Sequence, residues 1–245
     1  MREQFPETSW TLLAKAREQG ADGVRARGEF AQRYYRPVRE FLFVLLRDTE
    51  QAQELAQEFF VKLNGSGGLL EHAHPEKGAF RHYLQRALRN LVIDYYRSNR
   101  QEALQTHPDQ ASAGGWDVIE LTGYPAAEAA FHHEWVKLTL AEALTQVRAL
   151  CHKRNQQVHL DLFEARYLSE ADLAPSWEDL GARYSMDQKT ARDRADTVAR
   201  HFRLVLRRML RNEITVAGGS GRWRSQVTEA AIDEEINALL SPLKD

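Results

Sequence analysis

One stretch of the chain, residues 80–100, combines the residue types that bind nucleic acid. Arg86, Asn90, Ile93 and Arg97 are spaced four, three and four residues apart, which places them along one face of a helix. Arginines contact phosphates, an asparagine amide can bind base edges, and isoleucine or the neighbouring Tyr96 can pack against exposed bases. The pattern predicts a nucleic-acid surface, and a solvated basic face without a ligand is the alternative.

An earlier stretch carries the opposite charge. Gln51, Glu54 and Glu58 are spaced three and four residues apart and share a helix face with Val61. A negative stripe with an exposed apolar residue is typical of a docking surface for a basic protein partner. A solvated face with no partner is the alternative.

Residues 176–200 have the proportions of a helix–turn–helix motif. A short helix is followed by a turn at residues 185–187, where Ser185 occupies the position at which many such motifs have glycine. The N-terminal residues of the second helix enter the major groove in that motif. The side chains expected to point outward there are Gln188, Lys189, Arg192, Asp193 and Asp196.

The overall charge conceals these local patterns. The chain has 245 residues, with 33 Lys and Arg against 35 Asp and Glu, for a formal net charge of -2. That total alone argues against a nucleic-acid partner. Residues 77–100 and 187–212 nevertheless carry +5 each, which leaves -12 on the rest of the chain. Because electrostatic fields act by patch, the segregated charge favours separate surfaces for separate partners.

Composition excludes two other classes of protein. Cys151 is the one cysteine, so neither an intramolecular disulfide nor a cysteine-based zinc cluster can form. The longest apolar run, residues 41–46, is far shorter than the roughly 20 residues that span a bilayer. The N-terminal residues lack an apolar stretch of signal-peptide type, so we expect a cytoplasmic protein.

The periodicity predicts an all-α fold. Helices are expected from Phe30, from a cap at Asp48 to Leu63, and from Phe80 to Ser98, followed by helices from Phe131 and near 158–168. A capping box at Ser176 and a cap at Asp187 start the last two helices of the second domain. The predicted divisions are an N-terminal extension (1–24), a helical domain (25–101), a linker (102–130), a second helical domain (131–214) and an acidic tail helix (215–245).

Three segments together resemble the bacterial RNA polymerase sigma factors of the extracytoplasmic-function group. Residues 48–63 read DTEQAQELAQEFFVKL, which is similar to the region 2.2 pattern D-A-E-D-L-x-Q-E-x-F. Residues 80–100 read FRHYLQRALRNLVIDYYRSNR, which is similar to the family pattern F-R-x-W-L-x-x-I-A-x-N-x-x-x-D-x-x-R. WEDLGARYSMDQKTARDRADTVARHFRLVLRRML lies where region 4 belongs. The long chain, with TSWTLL near its start and an acidic helix expected near its C-terminus, resembles the large planctomycete-type members of this group.

Four positions depart from the family patterns, one in the region 2 segment and three in the region 4 segment. Tyr83 replaces the usual tryptophan, which keeps an aromatic ring, and Ala191, Asp193 and Ala195 replace parts of the usual V-K-S-R-L.

The resemblance implies a region 2 bundle and a region 4 helix–turn–helix domain joined by a flexible linker, with a C-terminal helical extension. It implies binding to core RNA polymerase through the β′ clamp and β flap, to promoter DNA, and to an anti-sigma factor as a further candidate partner.

The residues expected to contact the clamp are Gln51, Glu54, Gln57, Glu58 and Phe59. Those expected at the minus-ten element are Arg86, Arg89, Asn90, Asp94 and Arg97. Those expected at the minus-thirty-five element are Gln188, Lys189, Thr190, Arg192, Asp193 and Arg194. The loop 65–79 would hold a flipped-out base, and the linker would run toward the RNA exit path.

Two other classes of function remain as alternatives. A helix–turn–helix regulator that never joins RNA polymerase would use the same motif but leave the acidic stripe unused. A hydrolase or metal enzyme is the third class, and the residues that suggest it are His72, His74, His132, His133, Cys151, His152 and His159. These have no recognised metal-ligand spacing, and the chain has no G-x-S-x-G or P-loop motif, so we expect neither an enzyme nor a cofactor.

The C-terminal tail has two interpretations. The long helix that starts after Asp187 has a basic face formed by Arg200, Arg203, Arg207 and Arg211. The acidic residues of the tail, Glu229, Asp233 and Glu234, could cover this basic face as an autoinhibitory element. Alternatively, the tail helix packs on the second domain and contributes to its stability.

Overall fold

Helices joined by short turns make up most of the computed structural model, which describes residues 9–64, 73, 80–106, 123–215, 233–234 and 236–237. Within those ranges there is no β-strand, which confirms the predicted all-α fold class. The described helices of at least seven residues are α1 (Ser9–Ala16), α2 (Ala21–Leu46), α3 (Thr49–Asn64), α4 (Phe80–Thr106), α5 (Tyr124–Lys153), α6 (Gln157–Tyr167), α7 (Trp177–Arg183) and α8 (Gln188–Thr215).

The described residues divide into two compact units. The first contains the described residues up to Lys137 and residues 213–215. The second contains Leu138 to Asn212 together with residues 233, 234, 236 and 237. The first 14 residues of α5 therefore belong to the first unit.

The region predicted as a linker is partly helical. α4 continues to Thr106, and α5 begins at Tyr124, seven residues before the expected start at Phe131. Pro125 lies in the range predicted as a linker, but proline suits the first turn of a helix because the backbone N–H that it lacks would have no partner there. Residues 107–122 of the predicted linker lie outside the described part of the chain.

Three amphipathic helices form the core of the first unit. The apolar spacing in the sequence predicts one inward face of α2, formed by Phe30, Tyr34, Val38, Phe41 and Leu45. This face is confirmed, since the first four side chains are at most 1% exposed and Leu45 is 6% exposed. α3 buries Ala52, Leu55, Ala56, Phe59 and Leu63, and α4 buries Phe80, Leu84, Leu88 and Val92. Aromatic rings from the three helices meet in this core, where Phe80 lies 5.3 Å from Phe30 and 5.5 Å from Tyr34 between ring centroids.

The described part of the predicted N-terminal extension, from residue 9 onward, belongs to the first unit. α1 contacts α2 and buries Leu12, Leu13 and Ala16. Arg27 of α2 donates a hydrogen bond to the Ala16 carbonyl at 2.7 Å, which helps to close the turn between the two helices.

The long helix α8 provides the core seam of the second unit. The apolar spacing in the sequence predicts a buried seam formed by Ala191, Ala195, Val198, Phe202, Val205 and Met209. The first four of these side chains are buried as predicted. Beyond Phe202 the prediction was wrong, because Leu206 and Leu210 are buried in place of Val205 and Met209, which are half-buried. The buried positions Phe202, Leu206 and Leu210 are spaced four residues apart. A helix with 3.6 residues per turn permits two such spacings in succession on one face, so the seam continues through Leu206 and Leu210.

Gly23 permits the close approach of the α1–α2 turn, and it supplies a test of this packing. A Cβ at position 23 would overlap the backbone carbonyl of Glu18, whereas one at Gly28 of the same helix would meet nothing within 4 Å. We expect Gly23→Ala to lower the free energy of unfolding by about 1–3 kcal/mol through overpacking. We expect Gly28→Ala to raise it by about 0.5–1 kcal/mol through helix propensity.

Urea denaturation followed by circular dichroism measures both changes. Equal shifts for the two variants would contradict the packing described for Gly23.

Candidate nucleic-acid interface

The exposed face of α4 carries the residues that the sequence predicted to lie outward. Arg86, Asn90, Asp94 and Arg97 are exposed, and Ile93 is half-buried beside them. Arg97 and Asp94 approach to 3.9 Å with most of both side chains in solvent, so their attraction is weak. The stripe therefore offers cationic and amide groups to a ligand.

Arg89 differs from Arg86 and Arg97 of the exposed stripe because a carboxylate and an aromatic ring of α5 contact it. Its guanidinium pairs with the Glu128 carboxylate and lies 5.6 Å from the centre of the Tyr124 ring. The Tyr124 ring is also 6.4 Å from that of Phe41 in α2. Tyr124 and Glu128 were not among the predicted site residues, because they lie in the range predicted as a linker. Their helical spacing with Phe131 and Trp135 was the signal that could have revealed them.

Two further cations of the first unit contact the same part of α5. Arg81 of α4 lies 4.6 Å above the Trp135 ring, and Arg36 of α2 lies 3.8 Å from Glu134. Glu134 also accepts a 2.7 Å hydrogen bond from Lys137, and its side chain is 10% exposed. Hydrogen bonding by Lys137 lowers the pKa of Glu134 below its usual value, and Arg36 acts in the same direction.

The predicted polymerase-binding face of α3 is exposed, with one exception. Gln51, Glu54, Gln57 and Glu58 lie on the surface, and the Val61 side chain beside them is 72% exposed. Phe59 was also expected to contact a partner, but it is fully buried. It occupies the inward stripe with Leu55 and Ala56, so it supports this face from beneath and does not contribute to its surface.

A hydrogen bond joins the acidic and basic helices. The Tyr95 hydroxyl of α4 donates to Gln51 Oε1 of α3 at 3.1 Å. Gln51 N donates in turn to Asp48 Oδ1 at 2.9 Å, which confirms the predicted cap of α3. Tyr96, next to Tyr95, is half-buried, and burial raises the pKa of its phenol.

The predicted helix–turn–helix elements are present in the second unit. Ser176 and Asp179 form the predicted capping box, and α7 ends at Arg183. Ser185 has a φ of 53°, the left-handed conformation for which glycine is favoured. The turn is tight, since Met186 N donates to the Gly181 carbonyl at 2.9 Å.

The first turn of α8 is fixed by Asp187. Its carboxylate accepts from Thr190 N at 2.9 Å and from Thr190 Oγ1 at 2.6 Å, which confirms the predicted cap. These hydrogen bonds lower the pKa of Asp187. The Thr190 hydroxyl is thereby committed to the cap.

The remaining predicted residues of α8 differ in exposure. Gln188, Lys189, Arg192 and Asp193 are exposed, whereas Arg194 and Thr190 are half-buried. Asp196 was expected to point outward, but it is half-buried and accepts a 3.2 Å hydrogen bond from the Tyr167 hydroxyl of α6. A tyrosine of a neighbouring helix gives no signal in the local sequence pattern, so the pattern did not predict this contact.

The C-terminal tail contacts the basic face of α8 at one described point. Asp233 pairs with Arg207, and Ile236 is buried. Both interpretations of the tail include such a contact, so the choice between them stays a prediction. Glu229 lies outside the described residues, whereas Glu234 is exposed.

Other predicted features fall mostly outside the described ranges. Ala73 of the loop 65–79 is described; it is buried, and its carbonyl accepts a hydrogen bond from Arg17. His72 and His74 are not described, and among the described residues no group of three His, Cys, Asp or Glu side chains could hold a metal ion. Of the described helices, none is long and apolar enough to cross a membrane.

Comparison with known proteins identifies one segment. Residues 30–102 match the family model described as Sigma-70 region 2. A search of curated proteins and a search of solved structures each found no match. The matched segment comprises most of α2, all of α3, and α4 through residue 102. The match supports a relationship between this segment and region 2 of RNA polymerase sigma factors.

The ionised form of Glu134 should stabilise the first unit, and this predicts a pH dependence. Because the folded-state pKa is lowered, the stabilisation is present above the unfolded pKa of about 4.3 and is lost as the pH falls through the folded value. We expect Glu134→Gln to lower the free energy of unfolding at pH 7 by about 1 kcal/mol. The loss relative to wild type should diminish as the pH falls below about 4.

Urea denaturation at a series of pH values measures this effect. Glu164→Gln is the control, because it removes a carboxylate of the more exposed Arg148–Glu164 pair in the second unit. A pH-independent effect of Glu134→Gln would contradict the role of its charge.

Proposed function

We propose that this protein is a sigma factor of the extracytoplasmic-function group, of the long planctomycete-like form. It binds core RNA polymerase in the cytoplasm and directs it to specific promoters, which it recognises and melts. The observation that carries the proposal is the Sigma-70 region 2 match over residues 30–102. That segment contains the exposed stripe of Arg86, Asn90 and Arg97 on α4.

In this proposal α4 reads and opens the minus-ten element. Arg86 and Arg97 bind backbone phosphates, and the exposed Asn90 amide binds a base edge. Ile93 and Tyr96 are half-buried at the border of the stripe, where an unstacked base can pack against them. Extruding a base costs a few kcal/mol, so favourable contacts with the opened strand are needed to offset it.

The acidic face of α3 binds the polymerase. Gln51, Glu54, Gln57 and Glu58 are exposed on the same helix as an exposed apolar side chain, Val61. Such a surface suits a partner that offers cations around an apolar contact, which we assign to the coiled coil of the β′ clamp. The Asp48 cap and the Tyr95–Gln51 hydrogen bond restrain one end of this face.

The second unit recognises the minus-thirty-five element and docks on the β flap. Gln188, Lys189, Arg192 and Asp193 are exposed in the first turns of α8, where a recognition helix contacts bases. Thr190 and Arg194 flank them with part of their surface accessible. An anti-sigma factor that covers either DNA surface would regulate the protein.

A regulator that binds DNA without joining the polymerase is the second candidate. It is favoured by the helix–turn–helix itself, whose capped helices and left-handed turn at Ser185 would serve such a protein equally well. The two candidates differ in the role of α3, because the regulator has no use for an exposed acidic face.

Reversing the charge of this face separates the two candidates. We expect Glu54→Lys with Glu58→Lys to weaken binding to purified core polymerase by at least about tenfold, because like charges would then face the partner's cations. The control is Asp22→Lys with Glu29→Lys, which reverses two exposed acids of α2 that the proposal assigns to no partner.

Fluorescence anisotropy of the labelled protein against core polymerase gives both affinities. Unchanged affinity of the α3 variant would reject the sigma-factor proposal and favour the regulator.

The roles within α4 predict two different effects on transcription. We expect Asn90→Ala to relax the preference at one base position, by about 1–3 kcal/mol of discrimination. We expect Arg86→Ala or Arg97→Ala to weaken all promoters similarly and to reduce the salt dependence of binding.

In vitro transcription with core polymerase and a promoter library reads both effects. An unchanged base preference in Asn90→Ala would remove that residue from the assigned role.

A further inference from the structure

The first half of α5 places a carboxylate on a cation of the proposed DNA-reading helix. Glu128 pairs with the Arg89 guanidinium, and the Tyr124 ring lies beside the same group at 5.6 Å. All three residues belong to the first unit. A carboxylate and a phosphate use the same arginine N–H donors, so Glu128 occupies a position that a DNA phosphate could take.

Packing determines the position of Glu128. Ala127 and Phe131 on the same helix are fully buried, and Trp135 is 2% exposed. The Tyr124 ring contacts that of Phe41, and the Trp135 ring holds Arg81 of α4 at 4.6 Å. The carboxylate is therefore presented to Arg89 by a docked helix face, and the pairing does not depend on a free side chain finding its partner.

The Arg89–Glu128 ion pair is exposed enough for a phosphate to replace the carboxylate. The Arg89 side chain is 45% exposed and that of Glu128 is 31% exposed. A pair in that environment is weak and is screened by salt, so an incoming phosphate can displace Glu128. Until it is displaced, Glu128 both engages the donors of Arg89 and repels phosphate from the adjacent surface.

We propose that residues 124–137 form an internal competitor of DNA, in which Glu128 acts as a phosphate mimic on Arg89. The inference rests on the proposed function of α4 as a DNA-reading helix. It assigns to this segment a regulatory role: the free protein binds nucleic acid less tightly than the charge of α4 would allow. Contacts that displace Glu128 from Arg89 release the full basic surface.

Removal of the Glu128 charge tests the proposal. The probe is a fluorescein-labelled, 20-nucleotide single-stranded DNA of random sequence, and its affinity for the full-length chain is measured from low to moderate salt. We expect Glu128→Gln to bind about two- to fivefold more tightly than wild type at low salt, the range that an exposed ion pair can supply. The slope of log affinity against log salt should steepen by up to about 0.7, the value for one further phosphate contact on a single strand.

The Arg148–Glu164 pair offers a matched control. Its side chains are 51% and 30% exposed, close to the values for Arg89 and Glu128, and it lies in the second unit. Glu164→Gln removes the same charge without freeing Arg89, so its affinity should remain near that of wild type. An equal gain in both variants would show a general effect of net charge and would overturn the proposal.

A double-variant cycle separates this proposal from the function on which it rests. Arg89→Ala should weaken DNA binding, and Glu128→Gln added to it should restore little. If Arg89→Ala has no effect while Arg86→Ala and Arg97→Ala weaken binding, the competitor is rejected and α4 keeps its role. If all three arginine variants bind like wild type, the proposed role of α4 itself fails. Unchanged or weaker binding by Glu128→Gln, including no detectable binding by either protein at low salt, overturns the competitor.

Discussion

Contact between aromatic rings at the centre of the first unit is the constraint on which both surfaces of that unit depend. The ring centroids of Phe30 and Tyr34 in α2 are 4.7 Å apart. The ring of Phe80, the first residue of α4, packs edge-on against both of these rings. Phe60 of α3 contacts Phe30 at 6.4 Å. Aromatic rings that are buried against one another prefer a few packing geometries. The cluster therefore restrains how α3 and α4 are positioned and rotated against α2. Every exposed residue of the two helices has its direction determined by that choice.

The same core explains how a nearly neutral chain can offer surfaces of opposite sign. An acidic helix and a basic helix pack through their apolar faces, which leaves their charged faces in solvent. The Tyr95–Gln51 hydrogen bond joins the two helices at their exposed border. The first half of α5 adds acidic and aromatic side chains to cations of the unit, and Arg36, Arg81 and Arg89 each contact one of them. Net charge therefore says little about the partners of this protein, because the relevant quantity is the local field at each face.

Much of the candidate site followed from local rules, and the errors have identifiable physical causes. Caps at Asp48, Ser176 and Asp187 were predictable because a side-chain acceptor satisfies backbone N–H groups within three residues of it. Exposure of Arg86, Asn90 and Arg97 followed from helical spacing. Phe59 was assigned to a partner by resemblance although its spacing already placed it in the core. Asp196 was misplaced because its partner, Tyr167, lies 29 residues away in the chain.

The sequence by itself determined the helices, most of their caps, their buried faces and the segregation of charge, because these depend on residues within about four positions of each other. It also carried the sigma-type patterns at residues 48–63 and 80–100. The tertiary structure decided which charged residues are free to bind a ligand. Arg86 and Arg89 have the same chemistry and similar local surroundings, yet the described contacts of Arg89 include Glu128 and Tyr124 from another helix. Such pairing depends on how α5 docks on α2 and α4, and the packing of distant segments cannot be derived from the periodicity of any one of them.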